Sequence, residues 1–440
     1  MKISYNLSPL PAEAVNPQGP VFISYRQSDG CRQANDIERL LRAAGLVVWR
    51  DKSDLPAGNI DDHLEQVLTS GLSAAVLIVT PDIEQSTVMQ EREVPRLLQL
   101  SENLDFSLCI VNEIADPSDP SRLDYKAPDR LLKLAPNTLA KTKQYDTRDQ
   151  NDRLKIVHDL LFHRVKLLQP KIAAAGGVFT IYIQTRGDAF ALDAGRQSDL
   201  QIRLEQDTNS RLPARSSLEA LRDTLPIITD AVVAAQATTV RLEGGMHLTV
   251  ALSIGAALPS TKIGQIEATD IKGKIWSSDD KAIVSHPHQL TIDPINVNDP
   301  EHAAKQAVAV FVTLTPQPDP TAFNHLLNDY PGKFTKAIQI SADPPAKLSP
   351  DEAGSLARKI GDAIKNISAQ TGRAEIHLAF HGPYGMAVLV GRLLNTLRTV
   401  VYEWDNPPSQ GPRYYEVMTL EPGVAKGPIV AVAPTSDKWN

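Results

Sequence analysis

From residue 19 to about 168, apolar and polar positions switch repeatedly between two periods. VFISY (21–25), LVVW (46–49), AAVLIVT (74–80) and SLCIVN (107–112) are short apolar runs and read as buried strands. Between them, RQANDIERLLRAAG carries Ile37, Leu40, Leu41 and Ala44 at helical spacing and stops at Gly45. NIDDHLEQVLTSG does the same with Ile60, Leu64, Val67 and Leu68. Strands alternating with amphipathic helices predict a parallel sheet covered on both faces. RLKIVHDLLFHRVKLL (153–168) predicts a closing helix, and PKIAAAGG (170–177), with its Pro and paired Gly, a linker.

The pattern restarts after Gly177. VFTIYIQT (178–185) alternates as a strand. SLEALRDTLPIITDAVVAA predicts a helix that runs to Leu225 and breaks at Pro226. TVRLEGGMHLTVALSIGAALP (239–259) reads as two strands around Gly244-Gly245. AVAVFVTLT (307–315) and KAIQIS (336–341) are further strands. SPDEAGSLARKIGDAIKNISAQTG (349–372) has Ser349 as a cap, Pro350 in its first turn, early acidic residues, and Gly372 as its stop. AEIHLAFHG (374–382), MAVLVGRLL (386–394) and TVVYEW (399–404) form a strand–helix–strand unit. A loose duplication pairs ALSIGAALPS with HLAFHGPYG, both read as strands running into small-residue loops. The expectation is an α/β chain of two domains, 1–168 and 169–440.

Length and charge narrow the function. At 440 residues the chain buries large cores without staples. A net charge of −7 excludes a protein that coats duplex nucleic acid, while leaving room for a small anion in a local pocket. Cys31 and Cys109 lie far apart in or beside apolar segments, which favours reduced thiols. No apolar run approaches the roughly 20 residues that span a bilayer, and MKISYNLSPLPAEAV lacks the apolar core of a signal peptide. The expectation is a soluble, cytoplasmic protein. His286-Pro-His288 has no further ligands clustered nearby and reads as a loop, with no metal.

In open parallel sheets, ligands sit beyond the carboxyl ends of the strands. In the first domain these ends are Ser24-Tyr25-Arg26, Trp49-Arg50-Asp51 and Thr80-Pro81-Asp82. Each alone is an ordinary solvated loop. As an ordered set, VFISYRQSDG, GLVVWRDKSDLPAGN, LSAAVLIVTPDIEQS and EREVP resemble a TIR (Toll/interleukin-1 receptor) domain over roughly residues 19 to 150. The resemblance implies a flavodoxin-like parallel sheet and, as in many prokaryotic members, cleavage of NAD+ at the nicotinamide–ribose bond. That reaction passes through an oxocarbenium-like state. Nicotinamide departs as a neutral molecule, so the site needs a carboxylate to steady positive charge rather than a strong acid. Glu91 and Glu93 compete for this role; on a helix they point about 200° apart. The family's pattern of Glu followed by an aliphatic residue favours Glu93-Val94, with Glu91 and Glu84 as rivals. Pro95 predicts that no continuous helix runs through this point, and the Trp-Cys pair common before the family's glutamate is missing here. The substrate wall is then Ser24, Tyr25, Arg26, Trp49, Asp54 and Leu55. Arg26 would pair with a phosphate. Trp49 would stack on a ring, or else belong to the core. Asp54-Leu55 would reach a neighbouring TIR domain and complete its site.

Residues 239–276 and 374–404 resemble the SAVED domain, a family of two halves related to the CARF sensors of CRISPR systems. The resemblance implies an α/β domain of two CARF-like halves that binds a cyclic oligonucleotide, with a cyclic trinucleotide favoured. Gly382-Pro383-Tyr384-Gly385 joins a strand to a helix, and its small residues let a phosphate approach free N–H groups. His381 and Tyr384 can hydrogen-bond to or stack on a base. Trp276 and Trp404 are further stacking candidates, core packing being equally open for Trp276. Arg392 serves either the ligand or the surface. The whole chain then reads as an NAD+ hydrolase of CBASS-type anti-phage defence, silent until a cyclic oligonucleotide drives it into an oligomer or filament. NAD+ is its substrate, and no cofactor is needed. Two rivals stay open: a non-catalytic, ligand-gated TIR scaffold, and a nucleoside or nucleotide hydrolase with another substrate.

Overall fold

The computed structural model describes residues 9–50, 60–187, 198–280, 288–302, 306–315, 319–343 and 348–434. They divide into two units, Met1–Lys171 with Asp199–Gln201, and Ile172–Ser198 with Ile202–Asn440.

The first unit is built on strands β1 (Val21–Ser24), β2 (Val48–Arg50), β3 (Ala74–Val79) and β4 (Ser107–Asn112), a short hairpin of β5 (Ala115–Asp116) and β6 (Asp119–Leu123), and β7 (Gln144–Tyr145). The sheet order is β2-β1-β3-β4-β7, parallel throughout. Strand order reverses between β1 and β3, which opens a ligand crevice at their carboxyl ends. Phe22, Trp49, Leu64, Leu68, Ala75, Leu97, Leu100 and Phe106 form one buried cluster. Leu77, Val79, Ile83, Met89, Val94 and Ile110 belong to another. The closing helix is longer than expected, Gln150–Ala174, and contains Pro170. Its buried positions continue through Leu168 to Ile172, so packing carries the helix past the proline.

A second sheet is formed by β8 (Val178–Gln184), β9 (Leu200–Arg203), β10 (Thr239–Gly245), β11 (Gln265–Thr269) and β12 (Ile275–Ser277) in the order β12-β11-β10-β8-β9; all of it lies in the second unit except Leu200 and Gln201. A third sheet contains β13 (Gln289–Ile295), β14 (Ala307–Thr313), β15 (Lys336–Asp343), β16 (Glu375–His381), β17 (Thr399–Asp405), β18 (Arg413–Leu420) and β19 (Ile429–Val432). Its order is β13-β15-β14-β16-β17-β18-β19. Both centres are parallel, and antiparallel strands appear towards the edges. Phe311 stacks on Phe323 at 5.1 Å in the core of the larger sheet.

Two expectations fail here. Pro226 does not break its helix, which spans Arg215–Ala234 without interruption. Leu218, Leu221, Leu225, Ile228 and Val232 are all buried, and this stripe outweighs the proline penalty of about 3 kcal/mol. The second strand expected in 239–259 is a helix, Leu248–Ala257. It is buried on every side, and such a segment shows no periodicity that separates helix from strand. Ser349 does cap its helix, accepting from Asp351 N at 3.3 Å.

Candidate functional site

The crevice at the end of β1 is organised around one short hydrogen bond. Ser24 Oγ donates to Glu93 Oε2 at 2.5 Å. Glu93 ends a π-helical turn, Met89–Glu93, that runs directly into the helix Val94–Leu100. Pro95 is the cause. With no N–H it cannot continue the regular ladder, and Val94 N reaches back instead to Met89 O. The chain therefore stays helical through a point where a break was expected. Glu93 is half-buried, whereas Glu84 and Glu91 are exposed.

The rim is braced by charge. Arg26 lies 3.7 Å from Asp29 and 3.5 Å from Asp82, donates to Gln85 Oε1 at 3.0 Å, and contacts Ser28. These contacts tie the loop after β1 to the loop after β3. On the other side, Glu38 bridges Arg42 at 2.9 Å and Arg50 at 2.8 Å, both arginines being buried. The Arg50 guanidinium lies 4.6 Å over the Tyr25 ring.

The second unit shows one local arrangement twice, a strand leading through a turn into a buried helix, but not at the pair of stretches expected. β10 leads through His247 into the helix Leu248–Ala257, and β16 leads through Pro383 into the helix Tyr384–Gly391. The two helices touch backbone to backbone. A Cβ on Gly255 would meet Val388 O at 2.0 Å, and one on Gly391 would meet Leu252 O at 2.2 Å. The two glycines thus let the helices of the two strand–turn–helix units cross closely.

Their N-termini differ. At the first, the buried Glu403 carboxylate accepts from Thr249 N at 2.9 Å and Thr249 Oγ1 at 2.7 Å, with Arg186 3.8 Å away. Burial raises the pKa of this carboxyl despite those donors. His247 occupies the N-cap position without a side-chain capping bond; its ring nitrogens lie 2.6 Å from Thr185 Oγ1 and 2.6 Å from Arg211 O, and burial pulls its pKa down to about 4. At the second, Pro383 supplies no side-chain cap, and His381 to Tyr384 are half-exposed.

The family model of the TIR domain matches residues 21–132. That of SAVED, the SMODS-associated and fused to various effectors sensor domain, matches residues 221–420. The chain joins a TIR domain to a SAVED domain. Among solved structures, the Acinetobacter baumannii Cap4 SAVED/CARF-domain containing receptor with the cyclic trinucleotide 3'3'3'-cAAA aligns at 12% identity with a TM-score of 0.42, covering 90% of this chain and 99% of that one. The same receptor with 2'3'3'-cAAA aligns at 12% and 0.43, covering 90% and 99%. The Moraxella osloensis Cap4 SAVED/CARF-domain containing receptor aligns at 13% and 0.37, covering 91% and 88%. No curated protein sequence matches the chain.

In the TIR domain the structure brings Ser24 and Glu93 together and sets Tyr25 against Arg50. Trp49 departs from its expected stacking role. It is 6% exposed and packs on Phe22 at 5.2 Å in the core. A Trp in such a place is worth about 3–5 kcal/mol, against about 1–3 for one stacked base. Arg26 is engaged by acidic side chains at the place where a phosphate contact was expected. Asp54 and Leu55 lie outside the described residues. Thr80 belongs to one of the three strand ends named above but was given no role in the site. It follows β3 at the crevice, and its buried hydroxyl has no hydrogen-bond partner among the described residues. Its place at a strand end was the only sign of it in the sequence.

In the SAVED domain, Trp276 is core. Its indole fills the space a Cβ on Gly385 would need, at 2.8 Å, and its Nε1 donates to Asp270 Oδ2 at 3.3 Å. Arg392 is also structural. It is buried and donates to Gly264 O at 3.0 Å, to Ile263 O, and to Ser278 Oγ at 3.3 Å. Tyr384 hydrogen-bonds Thr269 O, which orients the turn. Trp404 is 40% exposed on β17. Thr313, paired across the ladder with His381, has a buried hydroxyl without a partner among the described residues. Gly382 abuts Leu314, where a Cβ would lie 3.0 Å from the Leu314 Cβ. His288 of the His-Pro-His motif bonds Glu352 at 2.6 Å, while His286 lies outside the described residues. Among the described residues no His, Cys, Asp and Glu cluster could hold a metal ion, and no helix is long and apolar enough to cross a membrane.

Proposed function

We propose that this chain is a cyclic-oligonucleotide-gated NAD+ hydrolase of anti-phage defence. The observation that carries the reading is the half-buried Glu93 carboxylate, held 2.5 Å from Ser24 at the β1/β3 switch point of a TIR domain. The ribose C1'–N bond breaks, its electron pair leaves with neutral nicotinamide, and the ribosyl group becomes cationic. Glu93 steadies that cation until water adds and releases a proton, giving ADP-ribose. No general acid is required.

The SAVED sensor supplies the control. The Gly382-Pro383-Tyr384-Gly385 turn, with His381 beside it, receives one phosphate and its base at the helix terminus that no side chain caps. Binding stacks protomers by a heterologous, non-closing contact into an oligomer or filament. Asp54 and Leu55 of one TIR domain then complete the next. The test is NAD+ loss in the presence of cyclic di-, tri- and tetranucleotides, with light scattering read alongside. Cleavage that appears only with one ring, together with a rise in scattering, supports the reading. An intact NAD+ pool with every ring rejects it in favour of a ligand-gated scaffold.

One observation favours a different substrate. Arg26, expected to hold a phosphate, is engaged by Asp29 and Asp82. A nucleoside hydrolase needs no such contact. Competition between NAD+ and free nucleosides separates the two.

A further inference from the structure

We infer that Ser24 is a positioning residue, the group that orients the Glu93 carboxylate towards the cation that develops as the nicotinamide–ribose bond breaks, rather than part of the substrate wall. The inference rests on the hydrolase reading above and assigns the work of its carboxylate to a second side chain.

Three observations carry it. Ser24 is 1% exposed, so its hydroxyl meets the interior rather than an incoming dinucleotide. A serine hydroxyl has one proton to donate, and here that proton lies on the 2.5 Å line to Glu93 Oε2. The residue is also anchored. It is the last residue of β1, in register with Leu77 of β3, and lies two residues beyond Phe22, which is fixed in the core. A glutamate on a π turn has several torsions of freedom. A donor fixed to the sheet selects one of its orientations and favours the ionised form. Ser24 neither gains nor loses a proton in the reaction; it holds the carboxylate against the developing cation.

The experiment uses the full chain, NAD+ and 3'3'3'-cAAA, with the other rings of the screen as alternative activators. Ser24→Ala should lower kcat about 10-fold to 100-fold, the effect of losing one hydrogen bond to a charged group. KM should stay within about twofold, since a group that acts only on the transition state leaves ground-state binding alone. The acid limb of the pH profile should move up by about one unit, because the ionised carboxylate loses a donor. Ser24→Cys, which keeps a weak donor, should fall between. Melting temperatures of both variants should match the wild type, which separates positioning from folding. A Ser24→Ala enzyme with wild-type kcat and an unmoved acid limb overturns the inference, as does a loss confined to KM, which would return Ser24 to the substrate wall. A wild type that leaves NAD+ intact with every ring overturns the hydrolase reading and this role with it.

Discussion

Two carboxylates, one in each unit, stand at the carboxyl ends of parallel strands and are used in opposite ways. Glu93 is half-buried at the mouth of the TIR sheet, and a hydroxyl donates to it. Glu403 is sealed inside the SAVED domain, where the N-terminus of the helix Leu248–Ala257 takes it up. Burial decides between them. A carboxylate enclosed by backbone N–H groups serves as an internal anion and occupies a helix terminus for good. A carboxylate left at a mouth can meet a cation that forms only in a reaction. The same logic divides the two strand–turn–helix units of the sensor. One terminus already holds Glu403, and the other, after Pro383, has no side-chain cap to offer.

The largest effect expected from breaking this comparison is at the mouth. Glu93→Gln should reduce NAD+ cleavage about 100-fold to 1,000-fold, the range for removing one preorganised electrostatic partner, while scattering in the presence of activator is unchanged. Full activity in that variant would transfer the role to another carboxylate.

The next effect concerns the capped turn. His247 is buried with a pKa pulled down to about 4, below its unfolded value of about 6.5. The stability linked to its neutral form is complete above about pH 6.5 and is lost as pH falls towards 4, for a total of about 3 kcal/mol. Urea titrations between pH 7 and 4 should show this slope, and His247→Gln should flatten it. Pro383, in the equivalent place, contributes no such slope.

The smallest effects separate charge from hydrogen bonding at Glu403. Glu403→Ala strands the Thr249 donors in the interior and should cost about 1–3 kcal/mol. Glu403→Gln keeps an acceptor and should melt within about 1 kcal/mol of the wild type. The sign with pH is opposite to that of His247. Burial raises the Glu403 pKa, so its stability is complete below the unfolded value and declines as pH rises through the folded one. The Gln variant should lose that decline. A Gln variant that is as unstable as Ala would show that the charge itself caps the helix.

Strand and helix periods were legible in many elements with one face to solvent, though the partly exposed strands Gln289–Ile295 and Arg413–Leu420 were not read. The helix at Cys31–Ala43 and the strands around it follow their patterns closely. Legibility ended where an element is buried on all sides. Leu248–Ala257 has no polar face to set a period, so a helix was read as a strand. Proline misled in the same way at Pro95, Pro170 and Pro226, because local penalties of a few kcal/mol were weighed without the tertiary packing that exceeds them. Among candidate residues, aromatic and basic side chains were the least readable. Trp49, Trp276 and Arg392 have the chemistry of ligand contacts, yet they lie in the interior.

The order of polar and apolar residues by itself determined that this is an α/β chain, where the four main strands of its first unit end, and which short stretches carry carboxylates, small residues and aromatics, because those properties follow from local period and composition. Which carboxylate stands beside a hydroxyl, which helix terminus is already filled, and which tryptophan is core were decided by the tertiary structure alone. Each depends on contacts between residues far apart in the chain, as with Ser24 and Glu93 or Thr249 and Glu403, and no local pattern encodes the distance between them.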